Sequence, residues 1–433
     1  MKRTVHIILS FLFFLWPIQP TPSHAFDSIF SFGDSYTDTG NINVLAKKNS
    51  LSLFSDNLPY GMTFFQRPSK RFCDGRLIVD FLAEEFGLPF LKPYLDKNES
   101  FRQGANFAVA GATTLDKAFF KQHNITVFED PLSNSLPSQL QWFEELKPSL
   151  CQTVNECTYY FGRSLFIVGQ IEGNDYIVMF SSLLSVEQMM SYTSTIIQTI
   201  AGTIKELIDQ GARTVVVPGN IPMGCLPSLL TILKNDDYST YDNTTGCLRK
   251  YNELSRYHNS LLLEAIKELR IKYPLAKIIY ADFYKPVINF IRFPQRYGFT
   301  SIPLFVCCGI GGEYNWNQPN LCGTLHVTAC QNPSTHVNWD GQRLTEASYH
   351  YVANSWLKGP YADPPILDAR PVMINAHSNL HFMPNLSAAD CIFRGGSSCN
   401  FPLCYRKCYH SCFEAPPSEC QKCYLNTPVC CCS

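Results

Sequence analysis

Residues 28–41 read SIFSFGDSYTDTGN. The first five are apolar or small, with no charge and no turn residue, so they read as a strand buried on both faces. The strand runs into Gly33-Asp34-Ser35, which places a serine hydroxyl on a strand-to-helix turn. Three further β-branched runs repeat the pattern, at 165–168, 214–218 and 277–280. A fifth strand is read at 105–110, followed by Gly111. Between them, 196–210 and 254–273 carry apolar residues near 3.6 spacing and end at Gly211 and Pro274, and 344–357 reads as a closing helix. Alternation of this kind implies right-handed crossovers and a doubly wound α/β parallel sheet. In such sheets ligands sit beyond the carboxyl ends of the strands. Ser35, Gly111 and Asn174 all fall there.

Composition agrees with a large globular body. The 433 residues are 45% hydrophobic and 16% charged, with a net charge of −1. That balance excludes a basic nucleic-acid binder and an intrinsically disordered chain. Residues 1–25 read as a signal peptide: Lys2 and Arg3, an apolar run at 7–16 interrupted by Ser10, then Ser23-His24-Ala25 before a cut ahead of Phe26. The run is too short to span a bilayer and no later stretch reaches that length, so no transmembrane segment is expected. A secreted, extracellular protein follows. The N-x-[ST] sequons at Asn98, Asn124, Asn243 and Asn385 suit N-glycosylation on that route.

The 19 cysteines divide unevenly. Nine lie in the body, where Cys151 with Cys157 and Cys225 with Cys247 can close short loops. Cys307, Cys308, Cys322 and Cys330 can make two more bridges, and Cys73 is left free or paired with the tail. Ten crowd into the last 68 residues. We read a domain over 26–365, a linker over 366–385 and a small disulfide-rich C-terminal tail module over 386–433. A zinc site from Cys420, Cys423 and His410 is weighed and set aside, because an oxidising compartment favours disulfides.

Taken alone, Gly33-Asp34-Ser35 could merely cap a helix. Four blocks together decide otherwise. Residues 30–41, GANFAVAGA at 104–112, GQIEGND at 169–175 and WDGQRLTE at 339–346 resemble, in order and spacing, the signature blocks of the GDSL (SGNH) ester hydrolases. PYGMTFF at 59–65, RFCDGR at 71–76 and VPGNIPMGC at 217–225 resemble the plant secreted branch of esterases and lipases. The resemblance spans nearly all of 26–360 and implies a flavodoxin-like three-layer fold.

Carried over residue by residue, the resemblance makes Ser35 the nucleophile and Asp340 the residue that orients its base. The backbone amides of Ser35 and Gly111 and the side-chain amide of Asn174 would be oxyanion donors. Substrates would be small-molecule or lipid esters, as in lipid degradation, with no metal and no cofactor. One position departs. Where the family carries its base histidine stands Arg343, which remains protonated and offers no acceptor for the serine proton. His336, four residues before Asp340, is a doubtful substitute base. His350 and His326 lie in poorer positions. Glu172, where the family has glycine, would place a negative charge beside the oxyanion donors. Three functions stay open: a secreted serine ester hydrolase of weak or lost activity, a non-catalytic relative binding an ester-like or anionic ligand, and a Cys-rich peptide module carried on a hydrolase-like domain.

Overall fold

The structure is a computed structural model and describes residues 26–127 and 132–369. The leader-like residues 1–25, Asn385, and the tail with His410, Cys420 and Cys423 lie outside the described residues.

Five parallel strands form the centre: β1 (Ser28–Phe32), β2 (Gly104–Asn106), β3 (Ser164–Val168), β4 (Thr214–Pro218) and β5 (Lys277–Ala281). Their order is β2-β1-β3-β4-β5, and Ala362–Asp363 pairs antiparallel with the far edge of β5. The sheet is therefore doubly wound as expected, with one short antiparallel edge added. The strands are buried almost throughout, which explains their continuous apolar runs. Phe30 stacks on Phe166 at 5.3 Å and meets Phe143 edge-on at 5.6 Å.

Helix boundaries differ from the sequence reading mainly at N-termini. The helix expected from 196 begins ten residues earlier, as Val186–Asp209. Ser185 caps it by accepting from the Gln188 N–H, and Gln188 accepts in turn from the Ser185 N–H. Its partner is Arg249–Lys272, and the closing helix is Glu346–Lys358. The ordered body also runs past the expected start of the linker. Ile366–Ala369 forms a short helical turn, with Ile366 and Ala369 fully buried. The boundary at 365 is thus too early by at least four residues, because apolar burial continues beyond Pro364-Pro365.

Four disulfides brace the body: Cys151–Cys157, Cys225–Cys247, Cys307–Cys330 and Cys308–Cys322. Cys73 is a buried thiol, free among the described residues. Asn98, Asn124 and Asn243 are exposed, as glycan acceptors must be. No described helix is long and apolar enough to cross a membrane.

Candidate active site

The chain turns from β1 toward β2 on one side and reaches β3 on the other, so a crevice opens at the ends of β1 and β3. Gly33-Asp34-Ser35 leaves β1 into that crevice. Gln139 holds the turn, its amide accepting from the Gly33 N–H and donating to the Gly33 carbonyl, both at 2.8 Å. Asp34 N–H donates to the Gln170 carbonyl at 2.9 Å, tying the turn to the end of β3. Ser35 is 5% exposed.

The WDGQRLTE block folds over this turn. Asp340 is a saturated acceptor. Its Oδ1 takes the N–H groups of Gln342 (3.1 Å) and Arg343 (2.9 Å), and its Oδ2 takes the Tyr60 hydroxyl (3.0 Å) and Arg343 Nη1 (3.2 Å). Gly341 has φ +91°, and a Cβ there would lie 2.2 Å from the Trp316 ring, so only glycine fits. The Tyr36 hydroxyl donates to the Gln342 carbonyl and fastens the block to the serine turn.

Arg343 joins the two halves. Its Nε donates to Ser35 Oγ at 3.1 Å while Nη1 pairs with Asp340, and its guanidinium lies 4.7 Å over the Phe72 ring. The arginine thus occupies the place between carboxylate and serine where a base would stand. A nearby positive charge favours an alkoxide, but a guanidinium cannot take the proton away. Ser35 Oγ is left accepting a hydrogen bond with no base among the described residues.

His336 does not fill the gap. Its Nδ1 is engaged within its own loop, 3.2 Å from Thr335 Oγ1 and 3.3 Å from the Asn332 carbonyl, and burial holds its imidazole below the usual value. It also lies 3.4 Å from Cys330 Sγ, but Cys330 is bonded to Cys307, so the three do not make a ligand set. His350 is exposed and packs against Phe81.

The three residues expected to be oxyanion donors divide. The backbone N–H groups of Ser35 and Gly111 have no hydrogen-bond partner among the described residues. Gly111, at φ +82° with open space where a Cβ would sit, lines the cavity. Asn174 is turned inward: its side-chain amide donates to Asp34 Oδ2 at 3.0 Å and to the Ala112 carbonyl at 2.9 Å. In this arrangement the third expected donor has no hydrogen left to give.

Glu172 also departs from expectation. It is 1% exposed, and its Oε1 faces His258 Nε2 at 3.6 Å. Burial pushes the Glu172 carboxyl up to about 7 and His258 down to about 3. Near neutral pH the expected full negative charge is therefore reduced. Because the folded value lies above the ordinary 4.5, the folded state keeps a proton that the unfolded chain releases. This contribution to stability is complete below pH 4.5 and is lost as pH rises through about 7. We expect the melting temperature to fall between those limits, and Glu172→Gln to flatten that slope. Melting curves at matched ionic strength check this; an unchanged slope in the variant removes Glu172 as its source.

Sequence reasoning missed Tyr60, which holds Asp340, and Phe72, which floors Arg343. Both sit in the PYGMTFF and RFCDGR stretches, whose family resemblance carried no role for either side chain. A cavity of about 330 Å³ opens above Arg343, lined by Ile42, Phe54, Phe72, Trp316 and Leu321 among others. Its polar members include Gly111, Asp340 and Arg343.

Comparison with known proteins supplies the last observation. Residues 29–356 match the GDSL-like lipase/acylhydrolase family. A GDSL esterase/lipase of Arabidopsis thaliana is 43% identical over 366 residues, covering 83% of this chain and 97% of the relative. A second from the same plant is 42% identical over 363 residues, covering 83% and 91%. A sinapine esterase of Brassica napus is 43% identical over 341 residues, covering 78% and 87%.

Proposed function

The chain belongs to the GDSL-like lipase/acylhydrolase family, and from that premise we propose that it is a secreted protein that seats small-molecule carboxylic esters over Ser35 and hydrolyses them only at a residual rate. The observation that carries this is the hydrogen bond from Arg343 Nε to Ser35 Oγ, with Asp340 engaged on the same guanidinium. On this reading Ser35 is the nucleophile, the N–H groups of Ser35 and Gly111 are oxyanion donors, and Arg343 stands in place of the proton acceptor. Loss of the histidine in a serine hydrolase leaves roughly 10³–10⁴ over water, supplied by the oxyanion hole and binding. The sinapine esterase relative puts sinapine among the esters to try. The leader-like residues 1–25, the four disulfides and the exposed sequons support secretion. The body and the Cys-rich module after 385 are proposed as separate units.

The test is hydrolysis of a short activated aryl ester by the mature protein beside Ser35→Ala. We expect rates within about tenfold of each other, since a serine without a base adds little. A drop of about a hundredfold or more in Ser35→Ala means that another group deprotonates Ser35, and the reading of residual turnover falls.

A further inference from the structure

Resting on that ester-pocket reading, we propose that Arg343, which donates to Ser35 Oγ, makes the cavity it lines a site for free carboxylates with an apolar body, in preference to neutral carbonyl compounds of the same shape. The donors point to it. The N–H groups of Ser35 and Gly111 are unpaired, and Arg343 Nη2 has no hydrogen-bond partner among the described residues. Arg343 and Gly111 line the same cavity, and the Arg343 side chain is 18% exposed. Three donors with nothing to serve are more than one ester carbonyl can satisfy. A carboxylate brings two oxygens and about four lone-pair positions to them. Its bond to a guanidinium is charge-assisted and roughly twice as strong as a neutral one.

The existing acceptor does not compete. Asp340 already holds four hydrogen bonds, one of them from Arg343 Nη1. Burial and Glu172 push the neighbouring Asp34 carboxyl up to about 8, so it adds little negative charge behind the serine at neutral pH. Much of the rest of the wall is apolar: Ile42, Leu53, Phe54, Phe72, Trp316 and Leu321 help to enclose about 330 Å³, the low end of small-ligand sites, with Tyr60, Ser133 and Gln342 at its polar edge. The fitting ligand therefore has one carboxylate and a compact aryl or alkyl body. In an ester hydrolase that is the acid half of the product, so this site retains what a catalytic site releases.

Calorimetric titration of the mature protein with hydrocinnamate and with benzylacetone, its uncharged methyl ketone analogue, tests the inference. Neither probe can be hydrolysed. We expect hydrocinnamate to bind at least about tenfold more tightly, the scale of one charge-assisted bond. Arg343→Gln should erase the preference while leaving benzylacetone binding in place, and Ser35→Ala should keep it. Equal affinities in the native chain overturn the inference without any variant. So does a preference that survives Arg343→Gln. If both probes bind equally, the ester pocket stands and only carboxylate selectivity fails. If neither binds, the ester-pocket reading itself falls.

Discussion

Arg343→His raises the second-order rate constant for a short aryl ester by about three to four orders of magnitude over the native chain. The geometry is already prepared for it. The backbone at 343 is fixed by its N–H bond to Asp340 Oδ1. A side chain from that position already reaches Ser35 Oγ at 3.1 Å and Asp340 Oδ2 at 3.2 Å. An imidazole spanning the same two groups would donate an N–H hydrogen bond to the carboxylate and take the serine proton on its other nitrogen. In subtilisin, a serine hydrolase with the same kind of triad, the histidine is worth about 10⁶ in turnover. We expect less because Asn174 spends its amide hydrogens on Asp34 and Ala112, and one missing oxyanion donor costs about 10²–10³. The gain should follow the deprotonation of the new imidazole, rising with pH through about 6.5. Steady-state kinetics of Arg343→His and of Arg343→His with Ser35→Ala measure it. A variant no faster than the native chain would show that more than the base has been lost.

The second large effect is on stability. Arg71→Ala should destabilise the protein by about 3–5 kcal/mol, the cost of leaving a buried charge without its partner. Arg71 grips Asp80 with two bonds of 2.8 Å, and their side chains are 8% and 0% exposed. Asp80 also accepts the Leu77 N–H at 2.9 Å at the start of helix Ile78–Glu85, so one carboxylate serves an ion pair and a helix terminus. The guanidinium further packs 4.8 Å over Phe65. Chemical denaturation followed by far-UV circular dichroism reads the loss. Arg71→Ala with Asp80→Ala should recover more than half of it, because the stranded carboxylate is then gone. A double variant as unstable as the single one would assign the loss to packing over Phe65 together with the Leu77 N–H bond that Asp80 also provides.

These two sites show what was legible in the chain and what was not. Strands β1, β3, β4 and β5 announced themselves because a sheet buried on both faces tolerates only apolar and β-branched runs. Ser35, Gly111 and Asn174 were placed near one another by the ends of those strands, and Asp340 joined them through the family resemblance of its block. What spacing cannot carry is which way a side chain turns. Asn174 could equally face the crevice or Asp34, and the choice is made by the Ala112 carbonyl, 62 positions away. Glu172 meets His258 across 86 residues, a contact no local pattern encodes. The early start of Val186–Asp209 was readable in principle from Ser185 and Gln188, but its first turns are too polar to show an apolar stripe.

The adjacent pair Cys307 and Cys308 gives the fold a requirement of a different kind. Their bridges to Cys330 and Cys322 enclose the segment that supplies Trp316, Leu321 and Cys322 to the cavity wall. Cys307 and Cys308 also donate backbone bonds to Asn338 and Trp339, so the same bridges back the segment that leads into Asp340. The central sheet depends on neither bond. Chain made in a reducing cytosol can therefore show full helical and strand signal while its ligand wall is undone. Two neighbouring thiols also offer a crossed pairing that closes the wrong loops. A count of titratable thiols, and the mapping of these two bridges, is thus the first purity criterion for any preparation whose silence toward esters is to be interpreted.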